Sequence, residues 1–570
     1  MMTFVVFEAD GVVPENFPPR HAFVHGPDAL PIQANLSIGG GVISCAFSAP
    51  HSTALVVQFE VGPVGDESDA VGLGLLTLPT CLLPARGKDN PYLLSIELAR
   101  HQIMLVLNKM EDWQLTELSA DESVMRQFER ARSQFTKALS AQRDESSNGQ
   151  PSIGGYSPDA DRLAARTIAL AVDAGEQLAV IEAARNLRTR GDGSAHTEAS
   201  EHYTRITREK LPPQTAVVVP GSMRAVLPGT AMIGCAISPA TWSETLQRVA
   251  HATCDFISMP MRWRDLEPRE GKYNFAPTDR WIEWAVRTAK IPVFGGPLLD
   301  FRQACVPDWL YIWENDYETL RDLVVEHVQA VVTRYRRTVQ RWTVCSGLNV
   351  NTNIKVSFDQ IVDLTRLCVL IVKKLQPTAK VQVEITQPWG EYHAWNKRSL
   401  PPVLYADAIV QTGLPIDAIS LRVPMGHAEP GLTTRDMLSF SAILDRFAAF
   451  EKPIAVTLGA PSSPIPAAAY VPRAGAPPED PHEPGRWRGN WTEARQASWL
   501  AHAMSIAASK PFVHNVCWQE LADGVGGASA APEMPFGGLV GTNGQLKASA
   551  TRLGLVREAV RKGVMPVLAE

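Results

Sequence analysis

From about residue 214 onward, short apolar runs alternate with longer amphipathic segments. The runs are Met232–Ile237, Phe256–Met259, Pro292–Phe294, Arg341–Cys345, Lys380–Ile385, Ala418–Arg422, Ile454–Leu458 and Val513–Trp518, and each has the length of a buried strand. Between them, Tyr317–Tyr335 places Leu320, Leu323, Val324, His327, Val328 and Val331 on one helical stripe. Phe358–Leu375 opens with a Ser357/Gln360 capping box. Strand–helix alternation requires parallel strands joined by right-handed crossovers. Eight such units in about 340 residues is the number of a closed (β/α)8 TIM barrel. The pattern therefore predicts an α/β barrel over 214–570, starting near Ala231 and closing with a helix over 548–561. The competing architecture, an open doubly wound sheet, lacks support: Gly234-Cys-Ala-Ile-Ser-Pro239 after the first strand carries no glycine-rich phosphate loop.

The preceding residues have another rhythm. Thr3–Phe7, Ala34–Ile38, Val42–Phe47, Ala54–Phe59 and Gly74–Leu78 are short β-like runs broken by Gly, Pro and Asn. They predict a small, mainly antiparallel, sandwich-like β module over 1–88. Residues 89–213 read as a helical connecting region, with Leu94, Ile96, Leu98, Ile103, Leu105 and Leu107 in a first helical stretch and a second helix over 158–188. The polar stretch 144–155 reads as a loop, and the Gly- and charge-rich Thr189–Ser200 as a linker.

Composition narrows the class of partner. Among 570 residues, 54 Lys and Arg face 60 Asp and Glu, a net charge of −6. Nothing in that balance forms a basic stripe for phosphates, which argues against nucleic acid. No apolar stretch reaches the roughly 20 residues that span a bilayer, and Glu8 and Asp10 interrupt the first apolar run before it resembles a secretory leader. The expectation is a cytoplasmic protein with no membrane partner. The eight cysteines are scattered, without Cys-x-x-Cys or close Cys/His pairing, so no disulfide, metal site or cofactor is expected. Oligomeric state is left open.

Several barrel segments carry a resemblance. The second unit reads Phe256-Ile-Ser-Met-Pro-Met-Arg-Trp-Arg-Asp-Leu-Glu-Pro-Arg-Glu-Gly-Lys-Tyr-Asn-Phe275. Val293-Phe-Gly-Gly-Pro-Leu-Leu299 is followed by Val306-Pro-Asp-Trp309, and Trp342-Thr-Val-Cys-Ser-Gly347, Ile416-Asp-Ala-Ile-Ser420 and Val513–Trp518 with Leu539-Val540 and Lys547-Ala548 come in turn. Together and in this order they resemble glycoside hydrolase family 10, the retaining endo-β-1,4-xylanases. The resemblance covers about residues 230–560 and none of the first 200. It implies a barrel whose two catalytic glutamates end strands 4 and 7. Here those positions fall on Gly347, preceded by Ser346, and on Leu458. The sugar-gripping positions hold Met259, Pro260 and Gly296. Neither glycine nor leucine can donate a proton or attack an anomeric carbon, so the family's double displacement is predicted absent.

Function in such barrels sits at the C-terminal strand ends. The substrate-binding candidates there are Trp263, Asp300, Arg302, Trp309, Asn349, Asn351, Gln387, Trp389, Tyr392, Arg422, His427 and Trp518, since flat apolar rings beside amides and charges suit sugars. Glu384, Glu391 and Glu520 are the carboxylates available for relocated chemistry. Each has an alternative: Glu384 as a buried partner of a base such as Arg422, Glu391 as a solvated loop acid, and the tryptophans as core. The Pro-rich insertion 459–490 reads as a lid or a docking arm. Three functions remain open: a catalytically degenerate relative that binds a saccharide or serves as a scaffold, an active carbohydrate hydrolase using Glu384 and Glu391, and a structural or protein-interaction molecule.

Overall fold

The computed structural model describes residues 1–7, 21–48, 51–65, 71–142, 155–212, 214–427, 429, 431–464, 483–524 and 534–568. Most of the 144–155 stretch and of the 459–490 insertion lies outside these residues.

The N-terminal residues form two four-stranded sheets. One has the order β4 (Ala34–Gly39), β5 (Val42–Phe47), β1 (Met2–Val5), β8 (Tyr92–Leu93); the other has β3 (Pro31–Ile32), β2 (Phe23–His25), β6 (Ala54–Val61), β7 (Gly74–Pro79). Every pairing is antiparallel except β1 with β8. Phe4, Val24, Ile43, Leu55, Val57, Leu76 and Leu78 make one buried cluster with the start of the following helix. β8 runs directly into α1 (Leu94–Asp112), followed by α2 (Ser123–Ala141) and α3 (Pro158–Gly191). Ser157 caps α3 by accepting from the Ala160 N–H, with Pro158 in the first turn where its missing donor costs nothing.

The expected linker at Thr189–Ser200 is instead helical: it is the end of α3 and the start of α4 (Ser194–Thr207). Only the junction leaves the helical conformation, at Gly193, whose φ of +79° lies where glycine is unstrained. Composition alone suggested a flexible segment, but its charged residues keep their helical hydrogen bonds on both sides of one glycine.

The barrel strands are β9 (Met232–Ala236), β10 (Phe256–Met259), β11 (Val293–Gly295), β12 (Val339–Ser346), β13 (Lys380–Thr386), β14 (Ala418–Pro424), β15 (Ile454–Gly459) and β16 (Val513–Trp518). Every neighbouring pair is parallel, and β16 pairs with β9, which closes the sheet into a (β/α)8 barrel. A two-residue strand, Leu299–Asp300, extends the β11 position along the end of β12. The outward side chains are apolar. On β13, Val381, Val383 and Ile385 are buried in the same core as Ile361, Leu364, Cys368, Val369 and Val372 of the helix Phe358–Leu375. That helix carries the Ser357/Gln360 capping box, and the last helix spans Ala548–Arg561.

The N-terminal sheets and helices are fastened to the barrel by buried charge and by main-chain pairing. Lys510, 1% exposed at its side chain, sits before β16 and bonds Glu182 of α3 at 3.0 Å and Asp445 at 2.9 Å. Asp445 also accepts from Lys109 at 3.1 Å and from the Trp113 indole at 3.0 Å. On the opposite side, the free edge of β7 is taken up by the barrel's own loops. Arg486 and Arg488 donate their N–H groups to the Leu75 and Leu73 carbonyls, and Thr77 N–H donates to the Thr434 carbonyl. A side chain at Gly74 would put its Cβ 2.2 Å from the Arg486 carbonyl oxygen, so the close approach requires glycine there.

Lys510→Met should lower unfolding stability by about 3–5 kcal/mol, because it leaves two buried carboxylates short of a partner; urea titration followed by tryptophan fluorescence measures this. Burial by itself would raise Asp445, but Lys510 and Lys109 outweigh it and hold the carboxyl at about 2 against an ordinary 3.8. Its contribution is then complete above about pH 4 and is lost as pH falls toward 2. Stability measured across that window should fall more steeply for the natural protein than for Asp445→Asn.

Candidate functional site

Strand alternation sends every second barrel residue inward. The inward set is unusual in being small and polar: Ala236, Ser258, Thr343, Gln382, Glu384, Ser420, Arg422, Ala455, Thr457, Asn515 and Cys517 line a common cavity. Barrels of this type normally fill their interior with bulky branched side chains; these residues leave about 100 Å³ open. The floor is apolar. Phe256 and Phe294 stack with centroids 4.2 Å apart, and Arg341 lies 5.2 Å over the Phe294 ring. Phe256 packs so closely on Gly234 that a Cβ there would come within 2.5 Å of the ring.

Charge gathers at the mouth. Asp300 accepts from the Arg302 backbone N–H at 2.9 Å and from its Nε at 2.8 Å, and the guanidinium Nη2 adds a further bond to the same carboxylate. Burial would raise the Asp300 carboxyl, but the Arg302 charge and hydrogen bonds bring it below the usual range. Glu384 Oε1 accepts from Ser346 Oγ at 2.7 Å and Oε2 from Ser420 Oγ at 3.2 Å, with Arg422 Nη1 3.7 Å from Oε1. A register shift between Thr343 and Cys345 in β12 sets Ser346, rather than Cys345, opposite Glu384. Arg422 is lowered by burial and then by the neighbouring Arg302. Glu520, on the loop after β16, accepts from Met534 N–H at 3.3 Å. Burial pushes it up to about 8 against the pull of that bond, Arg262 and Arg422. Asp265 is also raised by burial.

Five sequence-selected residues thus meet at the cavity: Asp300, Arg302, Glu384, Arg422 and Glu520. The others lie elsewhere. Glu391 is not a solvated loop acid; it is wholly buried against Arg435, which also donates to the Thr77 carbonyl and lies 4.6 Å over the Trp389 ring. Trp263 donates to Glu267 at 2.8 Å and stacks on His327 at 4.4 Å, with Trp309 edge-on at 5.9 Å. Trp518 is fully buried and donates to the Gly537 carbonyl. Asn349 and Tyr392 bond each other, and Asn351 ties the Val356 and Arg398 carbonyls. Gln387 donates to Glu429, whose N–H donates to His427. Gly347 has φ +68° and faces the Arg302 side chain, and Leu458 is fully buried in the main core.

Sequence reasoning missed Arg262, Asp265, Ser258, Gln382, Ser420, Thr457 and Asn515, all on the cavity wall. The signal was available as alternation inside the predicted strands: Gln382/Glu384, Ser420/Arg422 and Asn515/Cys517 are polar or small between apolar neighbours. Among the described residues, no three His, Cys, Asp or Glu converge as a metal-ligand set, and no helix is long and apolar enough to cross a membrane.

Comparison with known proteins adds four findings. A family model described as Glycosyl hydrolase family 10 matches residues 222–457. Endo-1,4-beta-xylanase B of Thermotoga neapolitana is 33% identical over 84 residues, 15% of this chain and only 23% of that protein. Among solved structures, xylanase 10B from Thermotoga petrophila RKU-1, solved in complex with xylobiose, aligns at 17% identity over 58% of this chain and 94% of its own, with a TM-score of 0.42. The Thermobacillus composti GH10 xylanase aligns at 16% identity over 57% and 97%, with a TM-score of 0.41.

With its carboxyl at about 8 against an ordinary 4.5, Glu520 takes up a proton on folding between those pH values. The natural protein should therefore lose stability relative to Glu520→Gln as pH rises through that window, by up to about 1.4 kcal/mol per pH unit. Denaturant unfolding of both at pH 5, 6, 7 and 8 tests this; parallel pH curves would contradict it.

Proposed function

From a barrel like that of glycosyl hydrolase family 10, we propose that the protein binds a saccharide inside the barrel and does not hydrolyse it by the family's double displacement. One observation carries the binding. Gln382 Oε1 and Asn515 Nδ2 line the cavity, both buried and both without a hydrogen-bond partner among the described residues. A buried acceptor and a buried donor left unmatched are costly, and sugar hydroxyls, which both donate and accept, satisfy such a pair. Ser258, Thr343, Thr457 and Gln519 add further polar groups to the same wall.

The retaining route needs two carboxylates about 5–5.5 Å apart, one as acid/base and one as nucleophile. Gly347 and Leu458 stand where the resemblance puts them. Of the carboxylates that line the cavity, Asp300 is engaged by Arg302 and Glu384 by two serine hydroxyls. A second reading, a carbohydrate hydrolase with relocated acids, is favoured by Glu520 alone. A carboxyl raised to about 8 is protonated near neutrality and suits a general acid. Glu384 is then its partner across the cavity, and Glu391, buried on Arg435, plays no part.

Incubation with aryl β-xylosides and xylo-oligosaccharides should show no turnover, while a panel of monosaccharides raises the melting temperature saturably. Turnover that Glu520→Gln or Glu384→Gln abolishes, with folding intact, would establish the second reading instead. Glu391→Gln should leave saccharide binding unchanged and lower stability by about 3–5 kcal/mol, since it strands the buried Arg435 charge; calorimetric binding and urea unfolding separate the two effects.

A further inference from the structure

The acids on the cavity wall are Asp265, Asp300, Glu384 and Glu520. Asp300 is held by Arg302, Glu384 by Ser346 and Ser420, and Glu520 accepts from the Met534 N–H. Asp265 differs from these three. Among the described residues, none makes a hydrogen bond or ion pair to its half-buried side chain. Its main chain, by contrast, is fixed. The short helix Trp263–Leu266 follows β10, and both of its ends are buried in the main core. Asp265 N–H donates to the Arg262 carbonyl at 3.1 Å, and Arg264 N–H to the Cys305 carbonyl at 3.0 Å. Asn274 N–H adds a 2.7 Å bond to the Leu266 carbonyl, and Trp263 stacks on His327. Burial raises the Asp265 carboxyl although the charges of Arg262 and Arg264 pull it down. Its charge is therefore poorly hydrated, and leaving it unbonded is costly. A carboxylate held in place by its backbone, with its oxygens free, is organised in advance for a ligand that brings donors. An ionised carboxylate only accepts, through two oxygens side by side. Neighbouring hydroxyls of a sugar ring present two O–H donors at that spacing.

We propose that Asp265 is the specificity-determining residue of the saccharide site, accepting hydrogen bonds from two neighbouring hydroxyls of one sugar ring. This deepens the saccharide reading and rests on it. Gln382 Oε1 and Asn515 Nδ2, unmatched on the same cavity wall, ask only for one donor and one acceptor. Asp265 asks for a pair of donors, which water-sized or singly hydroxylated ligands do not supply. A sugar lacking either hydroxyl of the pair leaves one charged oxygen without a partner, and sites of that kind discriminate strongly.

Isothermal titration of the full-length protein with D-xylose, D-glucose, D-galactose and L-arabinose identifies the tightest binder, which is then replaced by its monodeoxy analogues. Two analogues, lacking adjacent hydroxyls, should each bind the natural protein at least about tenfold more weakly than the parent sugar. Asp265→Ala should weaken the parent sugar by about the same factor and remove both deoxy penalties. Without ligand at pH 7, Asp265→Asn should melt at or above the temperature of the natural protein, because the amide carries no charge for burial to oppose. Unchanged parent affinity in Asp265→Ala, or deoxy penalties that persist in it, would overturn the assignment and leave the saccharide site standing. A clear fall in the melting temperature of Asp265→Asn would make the residue structural and overturn the assignment equally. Should Asp265→Ala not fold, the same titrations on Asp265→Asn decide. Binding of none of the four sugars would remove the saccharide reading, and this assignment with it.

Discussion

Closing eight parallel strands forces half of their side chains into one shared interior, and that interior has to be filled, wetted or occupied. In this chain six strands each set a small residue into that interior: Ala236, Ser258, Thr343, Ser420, Thr457 and Cys517. A barrel of fixed circumference lined with short side chains cannot be a packed core. The apolar cohesion is displaced outward, to the layer between strands and helices where Val381, Val383, Ile385 and the stripe of Phe358–Leu375 are buried. A separate apolar cluster, Ala236, Phe256 and Cys517 packed on Phe294, makes up part of the lining. The site follows from that partition: apolar patches, polar walls and charged residues after the strands.

Polar walls bring an obligation of their own, since each buried donor or acceptor needs a partner. Toward the mouth, Glu384 and Asp300 meet it internally. Ser346 and Ser420 hold Glu384, and Arg302 folds back on Asp300 two residues earlier. The deeper layer does not, and the atoms left over there are amides rather than carboxylates. The open space at the centre of the barrel is therefore faced by amide groups that no described residue satisfies.

The N-terminal sheets bear on the barrel by supporting its loops. The segment beginning at residue 483 returns along the edge of β7, pairing through Arg486 and Arg488, and Thr434 pairs with Thr77 beside it. An exposed sheet edge and two long barrel loops thereby satisfy each other's main-chain groups. Lys510, Glu182, Asp445 and Lys109 make the second fastening, a buried network whose members come from α3, α1 and the barrel. Ion networks this deep are costly to break one partner at a time. The two parts are thus joined at two places, and Glu391 with Arg435, which looked like site chemistry in sequence, belongs to this junction.

The sequence by itself determined the barrel, because period-two and period-3.6 patterns are local and each strand–helix unit announces itself. β10 and β16 coincide residue for residue with the runs Phe256–Met259 and Val513–Trp518, as do the helices Tyr317–Tyr335 and Phe358–Leu375. It also pointed to the charged residues at strand ends, Asp300, Arg302, Glu384, Arg422 and Glu520, since position after a parallel strand is a property of the chain. Only tertiary structure decided which aromatic and acidic neighbours share the cavity. Trp263, Trp309 and Trp389 follow strands and Trp518 ends one, yet each is committed to a neighbour: His327, Trp263, Arg435 and the Gly537 carbonyl. Likewise nothing local distinguishes Glu391, whose partner lies 44 residues away, from Glu520, whose charged neighbours include the sequence-distant Arg262 and Arg422. Burial and charge pairing are set by residues distant in the chain, so they became legible only when the barrel closed.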